Sequence, residues 1–312
     1  MNTDFPVLQA TGIPLPGLIP PAEQNIPALL AQPWYAVERQ RYTRLEGGRF
    51  DGPDVLYFVD IDYDILYRLE MQTQALTVVY QAPGAKFSAV KVHPDGRLFV
   101  CSLNPDIGIF TLHPDGTGYC PIGAVKGYVV DDLAFDDGGG FYFTELVGEC
   151  YAPTGSVCYV DPQLTTVTPV VTGLASPNGV ALSTDQKVLW ITETTGGRLL
   201  RFELDDTGLT VAPYGSYPAY HFVGKPGPDS CTIDPHDNLY TALYGQGRFM
   251  IFQKDGYPVG QILLPEREGG FHLYSTHCKL RPGTWELYLC ASSGPLRKDA
   301  SIFKVDLSAL SL

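Results

Sequence analysis

The chain has 312 residues, of which 45% are hydrophobic and 18% charged, a composition typical of a globular protein rather than a disordered one. Its 34 acidic residues outnumber its 21 Lys and Arg, and the resulting net charge of −13 argues against nucleic acid or an anionic membrane as a partner. No apolar run approaches the roughly 18 residues of a membrane-spanning helix, and the N-terminus lacks a signal-peptide pattern.

The first 34 residues contain seven prolines, which remove backbone donors and fit neither a long helix nor a central strand. We predict an extended N-terminal arm over residues 1–34, packed on a second region formed by residues 35–312. Within the arm, a short helical turn is expected at 28–31.

Beyond the arm, a turn rich in Asp and Gly repeatedly leads into a short aromatic or β-branched strand, and a second apolar strand follows about ten residues later. The first strands are 56–59, 98–100, 141–144, 189–192, 239–241 and 287–289. Their partners are 65–67, 108–110, 157–160, 199–202, 250–252 and 302–305. The first strands recur every 42 to 50 residues, which indicates a repeat architecture with several strands per repeat.

Six such repeats predict an all-β fold, a six-bladed β-propeller, because blades packed radially bury both faces of each sheet. No long segment shows helical periodicity, so alternating βαβ units are not expected. A β-sandwich is the structural alternative, and the near-constant spacing of the repeats suits it poorly.

The seven cysteines cannot all pair, and they show no zinc-type C-x-x-C spacing. Cys101, Cys158 and Cys290 lie in apolar runs, where a reduced cysteine behaves as a small hydrophobic residue. We therefore expect reduced thiols and a cytoplasmic protein.

Several familiar catalytic and binding motifs are missing from the sequence. There is no G-x-S-x-G elbow, P-loop or H-E-x-x-H segment. Asp60, Asp62 and Asp64 imitate the start of a calcium-binding EF-hand loop, but Ile65 stands where that loop needs glycine. These aspartates are therefore interpreted as turn residues.

Polar residues just upstream of several first strands are more informative. The innermost strand of each blade begins beside the central channel, so equivalent positions form a ring at one mouth of that channel. Converging oxygen ligands suit Ca²⁺, whereas Mg²⁺ prefers a strict octahedron with few protein ligands and zinc prefers histidine or cysteine. The alternative is that these residues only form turns, since Asn-Gly and Pro-Asp are strong turn sequences. The residues are Glu46, Asp131, Asp132, Asn178, Asp229 and Ser230.

Two segments carry a family resemblance. They are residues 178–202 (NGVALSTDQKVLWITETTGGRLLRF) and residues 227–270 (GPDSCTIDPHDNLYTALYGQGRFMIFQKDGYPVGQILLPEREGG), the second followed by Ser275-Thr276-His277. They resemble the gluconolactonase and senescence-marker-protein superfamily of six-bladed propellers, and most closely its bacterial drug-responsive, calcium-dependent lactonase branch. The resemblance covers nearly the whole chain after the arm.

The resemblance implies one Ca²⁺ in the central channel, with Glu46, Asn178 and Asp229 as ligands and Asp131 and Ser230 completing or supporting the site. It also implies that Asp229 is the catalytic acid/base.

The bacterial branch uses a second calcium site, fed by the loop before the Asp-Asp pair. That loop is shorter here, and Gly123 stands at the position of an acidic ligand, although Asp106 could contribute. A second calcium is therefore not expected.

Other residues are weaker candidates for contact with a substrate. His277 should lie near the same mouth and face the substrate, or it is a hydrogen-bonded structural histidine. Tyr220 and Phe222 could line the pocket wall or simply pack. His221 and His272 are the weakest candidates.

The first functional hypothesis is a Ca²⁺-dependent hydrolase of lactones, with a metal-polarised carbonyl and with Asp229 moving the proton. The same scaffold resembles phosphotriester-cleaving enzymes such as diisopropyl fluorophosphatase and also strictosidine-synthase-type enzymes. The second hypothesis is therefore a phosphotriesterase or a natural-product tailoring enzyme that uses the same site on another substrate. A non-catalytic ligand-binding propeller is the third. The sequence predicts no oligomeric state.

Overall fold

The structure is a computed structural model that describes residues 19–38, 42–224, 226–294 and 299–310. Strands make up nearly all of its regular structure, and the helical segments in the described ranges are single 3₁₀ turns at Pro21–Glu23, Gly123–Val125, Arg267–Gly269 and Leu307–Ala309. No helix in these ranges is long and apolar enough to cross a membrane.

The described ranges contain 25 strands. They are β1 (Ala28–Leu30), β2 (Gln32–Glu38), β3 (Leu45–Asp51), β4 (Val55–Asp60), β5 (Ile65–Glu70), β6 (Leu76–Gln81), β7 (Phe87–Val92), β8 (Leu98–Ser102), β9 (Ile109–Leu112), β10 (Cys120–Pro121), β11 (Val130–Phe135), β12 (Phe141–Glu145), β13 (Gly155–Val160), β14 (Val167–Leu174), β15 (Pro177–Leu182), β16 (Val188–Glu193), β17 (Arg198–Leu204), β18 (Val211–His221), β19 (Gly227–Ile233), β20 (Leu239–Tyr244), β21 (Arg248–Phe252), β22 (Pro258–Leu263), β23 (Tyr274–Leu280), β24 (Glu286–Ser292) and β25 (Asp299–Asp306).

Both sets of predicted repeat strands are confirmed. The first set falls on β4, β8, β12, β16, β20 and β24. The second set falls on β5, β9, β13, β17, β21 and β25. The strand before each pair is innermost. These inner strands contact one another in chain order around the molecule, from β3 through β7, β11, β15 and β19 to β23, and β23 contacts β3 again. The fold is therefore all-β and propeller-like, with the inner strands around a common axis.

The number of separate sheets differs from the predicted six. Within the described ranges there are four separate four-stranded sheets, formed by β3–β6, β7–β10, β11–β14 and β15–β18, and one nine-stranded sheet. The physical reason is one backbone pair, Tyr244 with Tyr274, which joins β20 to β23 and so merges the last two repeats.

The nine-stranded sheet also takes up the N-terminal strands. β2 pairs antiparallel with β25, whereas β1 adds in parallel to β22. The helical turn predicted at 28–31 is therefore wrong, because the exposed edge of β22 takes up the backbone hydrogen bonds of β1. Residues 1–18 of the predicted arm lie outside the described ranges, and the predicted boundary at 34/35 falls inside β2.

A buried polar contact also fastens the N-terminal segment. The carboxylate of Glu23 forms an ion pair with the guanidinium of Arg248, and both side chains are almost completely buried. Gln261 Nε2 donates to the Glu23 carbonyl at 3.0 Å. Such a pair needs several satisfied hydrogen bonds to offset its loss of hydration, and Gln261 and Tyr220 provide them.

Packing between neighbouring sheets forms the apolar core. Phe58, Phe99, Phe143, Trp190 and Phe249 are essentially inaccessible to solvent and belong to four of the apolar clusters between neighbouring sheets, with Phe99 and Phe143 in the same cluster. All seven cysteines are free, and Cys101, Cys158, Cys231, Cys278 and Cys290 are buried.

Candidate functional site at one mouth of the channel

Every inner strand has an irregularity at the same place, close to its N-terminal end. The pairing of the inner strand with the next strand of its sheet shifts there, as in a β-bulge. A β-bulge changes the direction of side chains and is common beside active sites. The shifts follow Glu46, Phe87, Val130, Pro177, Pro228 and Ser275. The residues left unpaired include Asp131, Asp132, Asn178, Asp229 and Ser230. The predicted site residues thus lie at equivalent positions of the repeat.

The acidic side chains from different inner strands come together. Burial raises the pKa of Glu46 well above its usual range, and the charges of Asp229 and Asp131 raise it further. Burial and the charges of Asp229 and Asp132 act in the same direction on the pKa of Asp131. Ser230 Oγ donates to Glu46 Oε1 at 2.7 Å, which links β19 to β3. The structure therefore brings together the side chains that the sequence predicted to meet at the axis.

Asp229 has a pKa near neutrality. Burial raises the pKa of its carboxyl to about 7, although hydrogen bonds from the Asn178 side chain and the Ser230 backbone, and the charge of Arg44, oppose the shift. A carboxyl with a pKa near the working pH can both accept and donate a proton. The hydrogen bond from the Asn178 side chain fixes the position of this carboxyl, which the sequence predicts to be the acid/base group.

Two oxygen atoms of the five predicted calcium ligands lack hydrogen-bond partners in the described ranges. Glu46 Oε2 and Asn178 Oδ1 are buried and accept no hydrogen bond from any residue that the structure describes. Unsatisfied buried oxygens are costly, and an all-oxygen set fits a hard cation such as Ca²⁺. In the described ranges, however, no three His, Cys, Asp or Glu side chains are grouped as they would be around a metal ion. The donor chemistry therefore fits Ca²⁺, although the acidic side chains do not form a complete ligand shell by themselves.

His277 is buried one residue beyond the bulge of β23. Its Nε2 lies 2.9 Å from the Gly48 carbonyl, and its Nδ1 has no hydrogen-bond partner in the described part of the chain. Burial and the charges of Lys91 and Lys279 hold the pKa of His277 well below its usual range, so the ring is neutral and donates from Nε2. The contact with Gly48 is the one expected of a structural histidine, and a substrate contact remains a prediction.

The remaining candidates lie elsewhere. The Tyr220 hydroxyl donates to Glu23 Oε1 at 2.8 Å, and the Tyr220 and Phe222 rings pack in the core with centroids 5.1 Å apart. His221 is exposed on β18, and His272 contacts Ser293. Gly123 begins a 3₁₀ turn, and Asp106 is exposed in a loop, where its backbone amide donates to Asn104.

The aspartates that imitate an EF-hand are structural. Asp60 accepts a hydrogen bond from Thr43, Asp62 pairs with Arg44, and Asp64 accepts backbone hydrogen bonds from Gly84 and Lys86. Their interpretation as turn residues is confirmed.

The sequence analysis missed a group of residues beside Asp229. Arg44 affects the pKa of Asp229, and the hydroxyls of Tyr42 and Tyr244 lie 3.2 Å apart. Burial, the contact with Tyr42 and the charge of Asp229 all raise the pKa of Tyr244. One signal could have found Arg44, because it lies two residues before Glu46, on the same face of an extended segment.

Comparisons with known proteins identify the family and the fold. A family model described as the SMP-30/Gluconolactonase/LRE-like region matches residues 46–270. The chain is 41% identical over 296 residues to "Lactonase drp35" of Staphylococcus epidermidis, covering 93% of this chain and 91% of that protein. Two solved structures share the fold. One is the calcium-binding protein regucalcin of Agrobacterium tumefaciens (TM-score 0.71, 17% identity, 89% of this chain and 95% of that chain). The other is a gluconolactonase of Xanthomonas campestris (TM-score 0.68, 17% identity, 89% and 97%).

Proposed function

The chain belongs to the SMP-30/gluconolactonase/LRE-like family, and on that basis we propose that it hydrolyses lactones at the acidic group around Asp229. The observation that carries the proposal is the placement of Asp229. Without a bound cation its carboxyl has a pKa of about 7; it accepts a hydrogen bond from Asn178 and lies close to Glu46 at the channel axis. The relative named a lactonase, which aligns with nearly the whole chain, supports the choice of substrate class.

We further propose that Ca²⁺ binds through oxygens of Glu46, Asp131, Asn178, Asp229 and Ser230. The two unpartnered buried oxygens and the mutual repulsion of the three carboxyls support this, because both would be relieved by a divalent cation. The chemistry that Ca²⁺ supplies when bound is Lewis-acid polarisation of a carbonyl oxygen.

In this proposal Asp229 moves the proton. As a base, it accepts a proton from the attacking water; as an acid, it returns that proton to the ring oxygen that leaves. Asn178 orients the carboxyl, and Ser230 keeps Glu46 in place through its hydroxyl. A positioned acid/base group typically contributes about 10²–10⁴-fold to the rate.

The test is a panel of γ-, δ- and larger lactones together with a phosphotriester, assayed with Ca²⁺ or with EGTA. Asp229→Asn should lower kcat for lactones by at least about 100-fold. Asp206→Asn is the matched control, since the Asp206 side chain is fully exposed and pairs only with surface Lys187. Full activity in excess EGTA would exclude the metal proposal, and undiminished turnover by Asp229→Asn would exclude the proton role. Faster hydrolysis of the phosphotriester than of any lactone would show that the substrates are phosphotriesters rather than lactones.

We also infer that the fold is a six-bladed propeller. Support comes from the nine-stranded sheet, which contains two antiparallel four-stranded units, β19–β22 and β23–β25 with β2, bridged by the Tyr244–Tyr274 pair. The ring of contacts among the inner strands also supports it. A crystal structure in which β19–β22 and β23–β25 with β2 do not form two four-stranded units packed face to face would contradict this inference.

The cytoplasmic location is likewise a proposal, supported by seven free thiols, since secreted proteins usually pair their cysteines. Detection of the protein in an oxidising compartment would contradict it.

A further inference from the structure

A second layer of side chains lies farther along the inner strands than the acidic group. We call this layer the cationic layer; its members are Arg49, Lys91, Ala134, Ala181, Thr232 and Lys279. Each member pairs with an aromatic residue of the next strand in its own sheet, in the order Tyr57, Phe99, Tyr142, Trp190, Tyr240 and Tyr288. This equal register places the six members of the layer at one level of the channel.

The three cations of this layer stand on neighbouring inner strands, β23, β3 and β7, and the three remaining positions carry small side chains. The space left by the small side chains is a cavity of about 170 Å³, lined by all six residues. Arg49, Ile233 and Lys279 also line a larger cavity of about 670 Å³ that opens to solvent. The two cavities therefore form a passage from the surface to the cationic layer.

The wall of the larger cavity is mainly apolar. It includes Pro282 and Trp285, and the Trp285 ring stacks on His236 with centroids 6.2 Å apart and an interplanar angle of 14°. Trp285 keeps 44% of its surface exposed, so an aromatic face remains open. A volume of 300–1,000 Å³ with apolar walls and a few polar groups is typical of small-molecule sites.

The chain balances the charges of the cationic layer only in part: the charges of Asp132 and Asp51 act on Arg49, and that of Asp132 acts on Lys279, but burial still lowers the pKa of both cations. Lys91 Nζ lies 2.7 Å from Asp132 Oδ1, which neutralises one cation. Lys279 Nζ donates to the neutral Thr232 hydroxyl at 2.6 Å, and Arg49 Nε is buried without a hydrogen-bond partner among the described residues. Burial, with repulsion from Arg49 and Lys91, lowers the pKa of Lys279 to about 7, although the charge of Asp132 opposes the shift.

Asp234, an acidic residue in the wall of the larger cavity, forms its hydrogen bonds with other groups. Asp234 is buried and already accepts four hydrogen bonds, from the amides of His236 and Asn238, the Asn238 side chain and the Tyr240 hydroxyl. A chain with a net charge of −13 thus keeps two cations, Arg49 and Lys279, together at the inner end of an apolar cavity.

We propose that this passage binds a small organic carboxylate, with the carboxylate between Arg49 and Lys279 and an apolar ring against Trp285. The guanidinium of arginine matches a carboxylate with two parallel hydrogen bonds, and an open indole face provides a flat apolar contact. The site involves none of the residues assigned to lactone hydrolysis, so the two proposals stand or fall separately.

The test uses naphthalene-1-acetate and its neutral analogue naphthalene-1-acetamide as probes, titrated calorimetrically into the full chain in EGTA. The carboxylate should bind with 1:1 stoichiometry, at least tenfold more tightly than the amide. Lys279→Met and Arg49→Met should each weaken binding at least tenfold. Lys126→Met is the matched control, because Lys126 is an exposed lysine on another part of the surface, and it should leave the Kd unchanged.

Trp285→Ala keeps the test decisive if the channel variants fold poorly, because Trp285 lies at the surface. This variant should bind naphthalene-1-acetate at least fivefold more weakly, and its binding of inorganic phosphate should not change. Equal binding of the acid and the amide, or no binding of either, would overturn the proposal. Binding that needs Ca²⁺ and survives Lys279→Met would also overturn it, because the carboxylate would then sit at the acidic group. Phosphate binding as tight as that of naphthalene-1-acetate would exclude the apolar subsite.

Discussion

The Ser230 hydroxyl donates a hydrogen bond of 2.7 Å to Glu46 Oε1, although the two residues are 184 positions apart in the sequence. Ser230 lies on β19 and Glu46 on β3, so the bond spans the channel between two inner strands that are not neighbours in the ring. The other carboxylate oxygen, Glu46 Oε2, has no such partner in the described ranges. One side chain therefore has an oxygen held by the protein and another available to a ligand.

Ser230→Ala should remove this support. Glu46 would then have two buried oxygens without a protein donor, and the free energy of unfolding should fall by about 1–3 kcal/mol without Ca²⁺. Urea unfolding in EGTA measures the loss, and Ser308→Ala is the control because Ser308 is exposed. Equal stability of the two variants would show that the hydrogen bond does not stabilise the site.

The acidic group also predicts how stability depends on pH in the absence of a cation. The pKa values of Glu46, Asp131 and Asp229 are all raised on folding, to about 7 for Asp229. The folded state therefore keeps protons that the unfolded chain releases near pH 4, so the contribution of these three carboxyls to stability is fully present below that pH and is lost as the pH rises towards 7. Each such carboxyl contributes up to about 1.4 kcal/mol per pH unit.

The melting temperature in EGTA should accordingly fall between pH 5 and pH 7.5. Asp131→Asn should reduce this slope, because one of the repelling carboxyls is replaced by a neutral amide, whereas the exposed-site control Asp206→Asn should retain it. If the melting temperature of Asp131→Asn depends on pH as steeply as that of the parent protein, Asp131 does not titrate together with Glu46 and Asp229.

Arg44 should adjust the pH at which the proposed enzyme becomes active. Its charge lowers the pKa of Asp229, and it also forms hydrogen bonds of 2.9 and 3.0 Å with Asp62. Arg44→Met should raise the pKa of Asp229 and move the acidic limb of the pH–kcat/KM profile to higher pH, by less than about one unit for a partly screened charge.

Asp62→Asn is the matched control for Arg44→Met. It removes the ion pair but keeps the positive charge beside Asp229, so the acidic limb should not move to higher pH. A shift of the same size in both variants would assign the effect to the ion pair rather than to the charge.

Much of the fold could be predicted because its signals are local. Each strand of the first set is a short aromatic or β-branched run after a turn, so its position is visible in a window of about ten residues. The polar residues Asp131, Asn178 and Asp229 are visible for the same reason, since each stands about ten residues before such a run. Their convergence followed from the repeat, not from any one motif.

The features that were missed depend on contacts between distant segments. Nothing near residues 28–31 indicates that β22 offers an open edge, so an Ala-Leu-Leu-Ala sequence was assigned a helical turn instead of a strand. The Tyr244–Tyr274 pair that merges two repeats is equally invisible in the sequence. The sequence does not show that Lys91 and Arg49 lie at one level of the channel, because this depends on the register of the strand pairing.

Gly47 should be essential to the shape of the bulge that presents Glu46. Its φ is +59°, a left-handed conformation that favours glycine, and a Cβ atom at this position would lie 2.3 Å from the Ala89 Cα on the neighbouring inner strand. Gly47→Ala should therefore force β3 and β7 apart, because the obstacle is backbone and cannot rotate away.

Gly52→Ala is a closely matched control. Gly52 has the same φ of +59° and has no atom within 4 Å of the position that a Cβ would occupy. Both variants carry the backbone strain, so the difference between them isolates the collision with Ala89. We expect Gly47→Ala to lower the free energy of unfolding by about 1–3 kcal/mol more than Gly52→Ala does, as measured by urea unfolding. We also expect Gly47→Ala alone to lose lactone hydrolysis, since Glu46 moves with the bulge; equal activity of the two variants would show that the bulge does not position the site.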